Sequence, residues 1–406
     1  MDSEEIFLNI QDFVLSKGKI DGGYFGHVFV VKEKKTNKLY AAKELDAKSY
    51  LLPKAQQMLI REVTNMKKLH HAAIIEFKGF TFISFNDPSK WQPTIYSEFV
   101  ENKSLQEALN NASRGLAPEK WSETTRFINL IGISAAMKYL HENQILHRDL
   151  KPANVLLDIN FYPKICDFGF STSFANSKVM SNVGTQAYKA PEIFQGNPYG
   201  PAVDVYSFAI MACEIMSENM AYQGIDDFDI KVINNIINGS LRPEFSENVN
   251  ENLQDLIKKC WDSDPECRPT FAEIFDELSN NYSEYIDIAD EGEIDKYISL
   301  LPEQSNISNS TEQNSTEKLS QQITDLKKKM ELNTKKYSAD IAKAQTTINS
   351  FKEKNDILSQ QITDLKEKME LNTKKYSTDI ENAQNTINLL QDQLSEAKKK
   401  KNYRIF

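Results

Sequence analysis

Cysteine is scarce in this chain of 406 residues, with four in all: Cys166, Cys213, Cys260 and Cys267. That is too few for a disulfide framework, and none of the spacings makes a paired CxxC zinc site. A basic excess is also lacking. Lys and Arg number 48 against 58 Asp and Glu, a net charge of −10, which argues against a general binder of nucleic acid or anionic membrane. Long hydrophobic runs are absent too. The longest apolar stretch, Phe127 to Leu140, is broken by Asn129, Ser134 and Lys138 and is too short to span a bilayer. The opening MDSEEIF lacks the apolar core of a secretory signal and carries Asp2 where N-myristoylation needs glycine. The expectation is a cytoplasmic chain with no nucleic-acid partner and no stable membrane insertion. At 40% hydrophobic and 26% charged, it has ample material for a core.

Glycine and proline are missing from one region only. All 14 Gly lie at or before Gly292 and all 13 Pro at or before Pro302, so the last 104 residues contain neither, as a long helix requires. Ahead of that region, residues 281–318 read as an acidic and polar linker ending in LPEQSNISNSTEQNSTEK. Residues 319–400 then carry a tandem repeat of 39 residues, LSQQITDLKKKMELNTKKYSADIAKAQTTIN from Leu319 and a near-copy from Leu358. Its apolar positions step by four and three, a heptad seam with one four-residue stutter per repeat. Ile323, Ile348, Ile362 and Ile387 fall at a, and Leu326, Leu365 and Leu390 fall at d. Ile at a with Leu at d favours a parallel two-stranded coil over a lone helix or a hairpin, and Asn355 at an a position suits a register-setting amide. Near-identity of the repeats leaves a slip of one full period open. A homodimer or another coil partner is therefore expected through 319–400.

The first 280 residues carry the chemistry. QDFVLSKGKI, HVFVVKEKK and KLYAAKEL are β-type runs, and the turn IDGGYFGHV (Ile20–Val28) is rich in the glycine that lets backbone N–H groups approach phosphate. Lys43 sits on the third run, and PKAQQMLIREVTNMKKLHH reads as a helix with Glu62 close to its apolar face. A strand lysine that grips phosphate needs such a carboxylate to hold its extended side chain. ILHRDLKPANVLLD (Ile145–Asp158), KICDFGF (Lys164–Phe170) and GTQAYKAPE (Gly184–Glu192) follow in order.

With these motifs the chain resembles a eukaryotic-type protein kinase over roughly residues 10–280. The resemblance implies an α+β bilobal fold, with a small β-rich N-lobe and a large α-helical C-lobe, followed here by the helical tail. It implies ATP and Mg²⁺ as cofactors and a protein substrate. Asp149 takes the role of orienting the substrate hydroxyl, Lys151 lies near the transferring phosphoryl group, and Asn154 and Asp167 are oxygen ligands for Mg²⁺. Lys43, steadied by Glu62, contacts the α/β-phosphates, while Gly23 and Gly26 cover them. Ile20, Val28, Ala41 and Leu156 wall the adenine, and Glu98 and Val100 offer it backbone groups, with Ser97 as a small gatekeeper.

The resemblance reaches further residues. Met66, His147 and Phe168 match an internal apolar spine, Asp204 a helix-start carboxylate that braces the catalytic loop, and Arg268 the partner of Glu192. Asp21 replaces the first glycine of the loop, which places a carboxylate near phosphates. Cys166, just before Asp167, reads as a buried inert thiol rather than a reactive one. Lys151 and Thr185 point to Ser/Thr specificity, and DVYSFAI with CWDSDPECRPTF resembles the tyrosine-kinase-like group. Arg148 suits pairing with a phosphorylated activation segment, for which Ser171, Thr172, Ser173, Ser177 and Ser181 are acceptors. The alternative is a pseudokinase-like scaffold that binds nucleotide and acts through its coil. Residues 319–406 hold 17 Lys and Arg against 12 Asp and Glu, a net of +5, which leaves −15 for residues 1–318.

Overall fold

The computed structural model describes residues 7–23, 26–45, 53–84, 91–173, 185–225, 227–287, 289–301 and 312–402. It divides into two compact units, residues 1–328 and 329–406.

In the first unit, five antiparallel strands form one sheet in the order β1-β2-β3-β5-β4: β1 Phe13–Gly23, β2 Gly26–Glu33, β3 Leu39–Leu45, β4 Phe77–Ile83 and β5 Trp91–Glu98. The alternation expected of a half-buried strand is clean in β3, where Tyr40, Ala42 and Glu44 are buried and the residues between them are half-buried. Phe13, Val31, Tyr40, Ala42 and Tyr96 pack into one core cluster, with Leu8 against it. Between β3 and β4 runs α1, Pro53–Lys68, whose Leu59, Glu62, Val63 and Met66 are buried at the one-face spacing of an amphipathic helix.

Beyond β5 the fold is mostly helical. α2 (Leu105–Ala112) and α3 (Glu123–Glu142) are each opened by a serine, Ser104 and Ser122, whose side chain accepts from a backbone N–H of the first turn. α3 contains the apolar stretch noted in the sequence, and Phe127 to Met137 is buried without a break, so that stretch is the central core helix. Among the described residues no helix is long and apolar enough to cross a membrane. Short strands follow: β6 Ile145–Leu146, β7 Val155–Leu157, β8 Pro163–Ile165 and β9 Thr172–Ser173, paired as β6 with β9 and β7 with β8. The remaining helices of this unit are α4 Pro191–Phe194, α5 Ala202–Ser217, α6 Ile230–Ile237, α7 Glu251–Cys260, α8 Phe271–Asn280 and α9 Glu291–Leu300.

The stretch expected as linker, 281–318, differs from that reading in its front part. Its polar composition hides five apolar anchors, Tyr285, Ile286, Ile294, Tyr297 and Leu301, all buried. Tyr297 stacks at a tilt on Tyr162 with ring centroids 4.7 Å apart, and Gly132 of α3 makes room for it. A Cβ at Gly132 would stand 2.1 Å from the Tyr297 hydroxyl oxygen, so the close approach requires glycine. α9 is thus part of the globular unit. Residues 302–311 lie outside the described residues.

A single helix, α10, runs Glu312–Asn402, beginning ahead of the expected Leu319. Its described side chains are exposed, including Ile362, Leu365, Ile380 and Leu390 of the expected seam.

Candidate active site

Three carboxylates and two lysines meet where the sheet faces the loops after α3. Lys43 projects from β3, and its Nζ lies 2.8 Å from Glu62 Oε1 on α1 and 3.8 Å from Asp167 Oδ1. Burial pulls the Lys43 ammonium down, but the Asp167 and Glu62 carboxylates outweigh it and hold the group above its ordinary range. Asp167 is correspondingly lowered, chiefly by Lys43. Burial pushes the Glu62 carboxyl up, against the pull of Lys43. The sequence expectation that Glu62 steadies Lys43 matches this geometry.

A second cluster surrounds Asp149. Its Oδ2 is 2.8 Å from Lys151 Nζ and accepts from Asn154 Nδ2 at 3.0 Å, while its Oδ1 accepts from the Thr185 N–H at 3.2 Å. Asn154 also donates to the Asp149 carbonyl at 2.8 Å. Lys151 donates in turn to Thr185 Oγ1 at 2.9 Å, bringing together residues 34 apart in sequence. Both Asp149 and Asn154 are buried. The carboxylate is therefore fixed at both oxygens, as a group that must aim one proton acceptor requires.

The loop that carries Asp149 is held from below. Asp204, the residue that the resemblance assigns to bracing this loop, sits in the third position of α5 and makes no side-chain cap on its own helix. Its carboxylate instead accepts the backbone N–H groups of His147 (2.9 Å) and Arg148 (2.8 Å) and meets His141 Nε2 at 3.0 Å. Arg148 has φ 65° and Asp167 φ 66°, a left-handed backbone that costs a non-glycine residue on the order of 1 kcal/mol. The Asp204 bonds at Arg148 and the Lys43 contact at Asp167 hold the two residues in that conformation. Fully buried His147 and Phe168 pack edge to face with centroids 5.5 Å apart, and Met66 is buried on α1. Arg268 grips Glu192 through two parallel bonds of 2.7 and 2.9 Å.

The residues expected to contact the nucleotide are placed mainly by the sheet. Gly23 pairs with Gly26 at the end of the β1–β2 hairpin, whose tip, Tyr24 and Phe25, lies outside the described residues. Gly26 has φ 141°, and a Cβ there would meet the Glu44 carbonyl oxygen at 2.0 Å, so only glycine fits. Asp21 pairs with Val28 through the backbone, and its side chain lies outside the described residues. Val28 stands opposite Lys43, and Ala41 opposite Ser97. Ile20, on β1, is 47% exposed, and Leu156, on β7, bridges to Ser104. Glu98 ends β5 with its N–H given to Glu76 O and its carboxylate bonded to Lys164 Nζ, each at 2.9 Å, and Val100 follows two residues beyond.

Some contacts had no signal in the sequence. Asn65 of α1 donates to Ser171 Oγ at 2.9 Å, and Ser171 is fully buried and also donates to Phe168 O. Of the expected phosphate acceptors, Ser171 is thus enclosed, Thr172 and Ser173 have their backbone in β9, and Ser177 and Ser181 lie outside the described residues. Arg148 donates to Phe170 O and to Tyr199 OH. Burial, and then the Arg148 guanidinium, lower Arg61 below its ordinary range. Burial pushes the Cys166 thiol up to about 12, so thiolate is scarce at neutral pH.

Among the described residues no three His, Cys, Asp or Glu side chains gather as a metal cage. Asn154 and Asp167 remain as a pair of hard oxygen donors, which suits a cation such as Mg²⁺ that keeps water and phosphate oxygens in its shell.

The protein kinase domain profile matches residues 15–278. The chain is 32% identical to the dual specificity protein kinase pyk3 of Dictyostelium discoideum over 230 residues, 57% of this chain and 16% of that protein. It is 32% identical to the serine/threonine-protein kinase STY17 of Arabidopsis thaliana over 238 residues, 58% of this chain and 39% of that protein. It is 41% identical to the RGS domain-containing serine/threonine-protein kinase A of Dictyostelium discoideum over 178 residues, 44% of this chain and 15% of that protein. The matches thus span well under half the length of these relatives. Motif order, the paired lysine–carboxylate clusters and the profile agree, and the chain belongs to the protein kinase family.

Proposed function

We propose that the protein transfers the γ-phosphate of Mg-ATP to Ser and Thr hydroxyls of protein substrates, as a kinase of the tyrosine-kinase-like group whose tail pairs as a coiled coil. The observation that carries the reading is the double clamp on Asp149: Lys151 and Asn154 at one oxygen, the Thr185 N–H at the other. A carboxylate so oriented accepts the hydrogen bond of an incoming hydroxyl and directs its oxygen along one line. Lys151, bonded to Thr185, keeps a positive charge beside the transferred group. Lys43, held by Glu62, is the cation for the α/β-phosphates. Asn154 spends its amide nitrogen on Asp149, which leaves its carbonyl oxygen for Mg²⁺ beside Asp167. The metal supplies neutralisation of phosphate charge. Val28, Ala41, Leu156 and Ile20 form the adenine walls, with the Glu98 carbonyl and the Val100 backbone at its edge.

The same reading extends to regulation. Arg148, held against Phe170 O, is a cation suited to pairing with a phosphate on Thr172, Ser173, Ser177 or Ser181. Pairing of tails raises local concentration, so one copy phosphorylates the other.

The test is transfer of labelled phosphate to a mixed peptide pool by wild type and Asp167→Ala. The expected loss is on the order of 10³-fold, the effect of removing a metal ligand that supplies several kcal/mol. Equal incorporation would remove this site as the source and leave the scaffold reading. Label on tyrosine would extend the specificity to the dual kind named for pyk3.

A further inference from the structure

We infer that the tail assembles as a parallel, in-register dimer and that Asn355 selects this arrangement; the inference rests on the coiled-coil reading above. α10 leaves its seam open: Ile348, Ile362, Leu365 and Leu390 are 56, 53, 60 and 58% exposed. A row of that size on one helix face calls for an apolar partner. A second copy fits it, since the repeat presents the same seam and the same flanks.

Three arrangements compete, and the residues at the seam separate them. In the parallel in-register pair, each Asn355 faces the other in an a layer, where one amide donates to the carbonyl of its mate. Flank pairs from g to the following e position then join Lys354 with Ser359, Gln361 with Lys366, and Lys368 with Thr373, so no lysine there faces another. A slip by one 39-residue period also matches the seam, but it places Asn355 against Leu394 and discards about half the overlap. An antiparallel pair with near-full overlap packs a against d, so Asn355 faces Leu358 and its amide is buried without a polar mate. Sliding that pair to bring Asn333 opposite Asn355 gives up overlap, and bringing Asn372 there sets Ala344 against Ala383, both at d, so the seam runs out of phase between the stutters. The slip therefore loses mainly through lost overlap, and the antiparallel form through the stranded amide.

Thiol cross-linking in the full-length chain distinguishes the three. In a Cys267→Ser background, which removes the exposed native thiol, single substitutions Leu326→Cys, Leu365→Cys and Ile387→Cys are co-expressed in pairs carrying tags of different size. Disulfides between two Leu326→Cys chains form only in register. Disulfides between Leu326→Cys and Leu365→Cys report the slip, and those between Leu326→Cys and Ile387→Cys report the antiparallel form. The expected result is like-with-like products, with mixed products below about a tenth of them. With Asn355→Leu added, the antiparallel product should rise several-fold. Mixed products dominating in the parent, or a pattern unmoved by Asn355→Leu, would overturn the inference. Sedimentation of the full chain as a monomer, with no cross-links, would instead overturn the coiled-coil reading beneath it.

Discussion

Up to Leu301 the bonds that matter join residues far apart in sequence: Arg268 reaches Glu192, Lys43 reaches Glu62 and Asp167, and Asp204 reaches His147. In Glu312–Asn402 every side-chain bond among the described residues is local, such as Lys374 with Glu370 or Ser359 with the Asn355 carbonyl, each one helical turn apart. Local pairs stabilise a helix by roughly 0.2–0.5 kcal/mol each, whereas breaking a buried ion pair costs roughly 3–5 kcal/mol. The globular unit therefore supplies its own partners, whereas the described side chains of the tail bond only within their own helix. The difference teaches where each region is vulnerable: one to the loss of a single buried contact, the other to the loss of its seam.

The largest effect is expected at Arg268. Its guanidinium is buried and gives two parallel bonds to Glu192, a third to Ala202 O and a fourth to Asp262 O. Arg268→Ala strands the Glu192 carboxylate, and the loss of stability should be roughly 3–5 kcal/mol by denaturant unfolding of the full chain. Arg268→Lys should recover little, because an ammonium cannot reproduce the fork. A change below about 1 kcal/mol would mean the pair acts as a surface pair does.

Glu214 gives a smaller effect confined to a pH window. It is 1% exposed, with Tyr188 OH and the Ala221 N–H each donating to it at 2.9 Å. Burial pushes its carboxyl from 4.5 up to about 7. Between those values the folded chain keeps a proton that the unfolded chain has released. The stabilisation is thus full below about 4.5 and fades as pH rises through about 7. Relative to Glu214→Gln, which cannot titrate, the wild type should lose up to about 3 kcal/mol between those limits. A constant difference between the two unfolding curves across pH 5–8 would show that Glu214 does not titrate there.

The sequence made the site legible because its chemistry sits in contiguous motifs: HRDLKPAN places Asp149, Lys151 and Asn154 within six residues, and ICDFG places Asp167. Periodicity likewise revealed the long helix, since Gly and Pro vanish from it. Tertiary roles were less legible. Asp204 was legible as a brace only through the motif resemblance, since local sequence shows no more than a helix start and packing turns its oxygens to the His147 and Arg148 N–H groups. α9 was hidden because scattered anchors in a polar stretch look like a linker until Gly132 opens a slot for Tyr297. The Asn65–Ser171 bond spans 106 residues and has no local signature.

The smallest change in the globular unit, and the sharpest test of the contrast, is expected from Ile362→Asp. On a lone solvated helix this exchange costs only a propensity difference of roughly 0.5 kcal/mol or less. In a paired seam it sets two carboxylates into one apolar layer, which is costly unless the strands part. Sedimentation velocity should therefore show a shift from dimer to monomer. Phosphorylation of an added peptide should stay within about twofold of wild type, because Ile362 lies outside the catalytic clusters. Autophosphorylation at nanomolar protein should fall about tenfold or more, because the tether no longer supplies a high effective concentration. A dimer that survives Ile362→Asp would place the interface elsewhere. A lost dimer with unchanged autophosphorylation would mean each catalytic domain modifies its own activation segment, and the tail would then serve partner choice rather than activation.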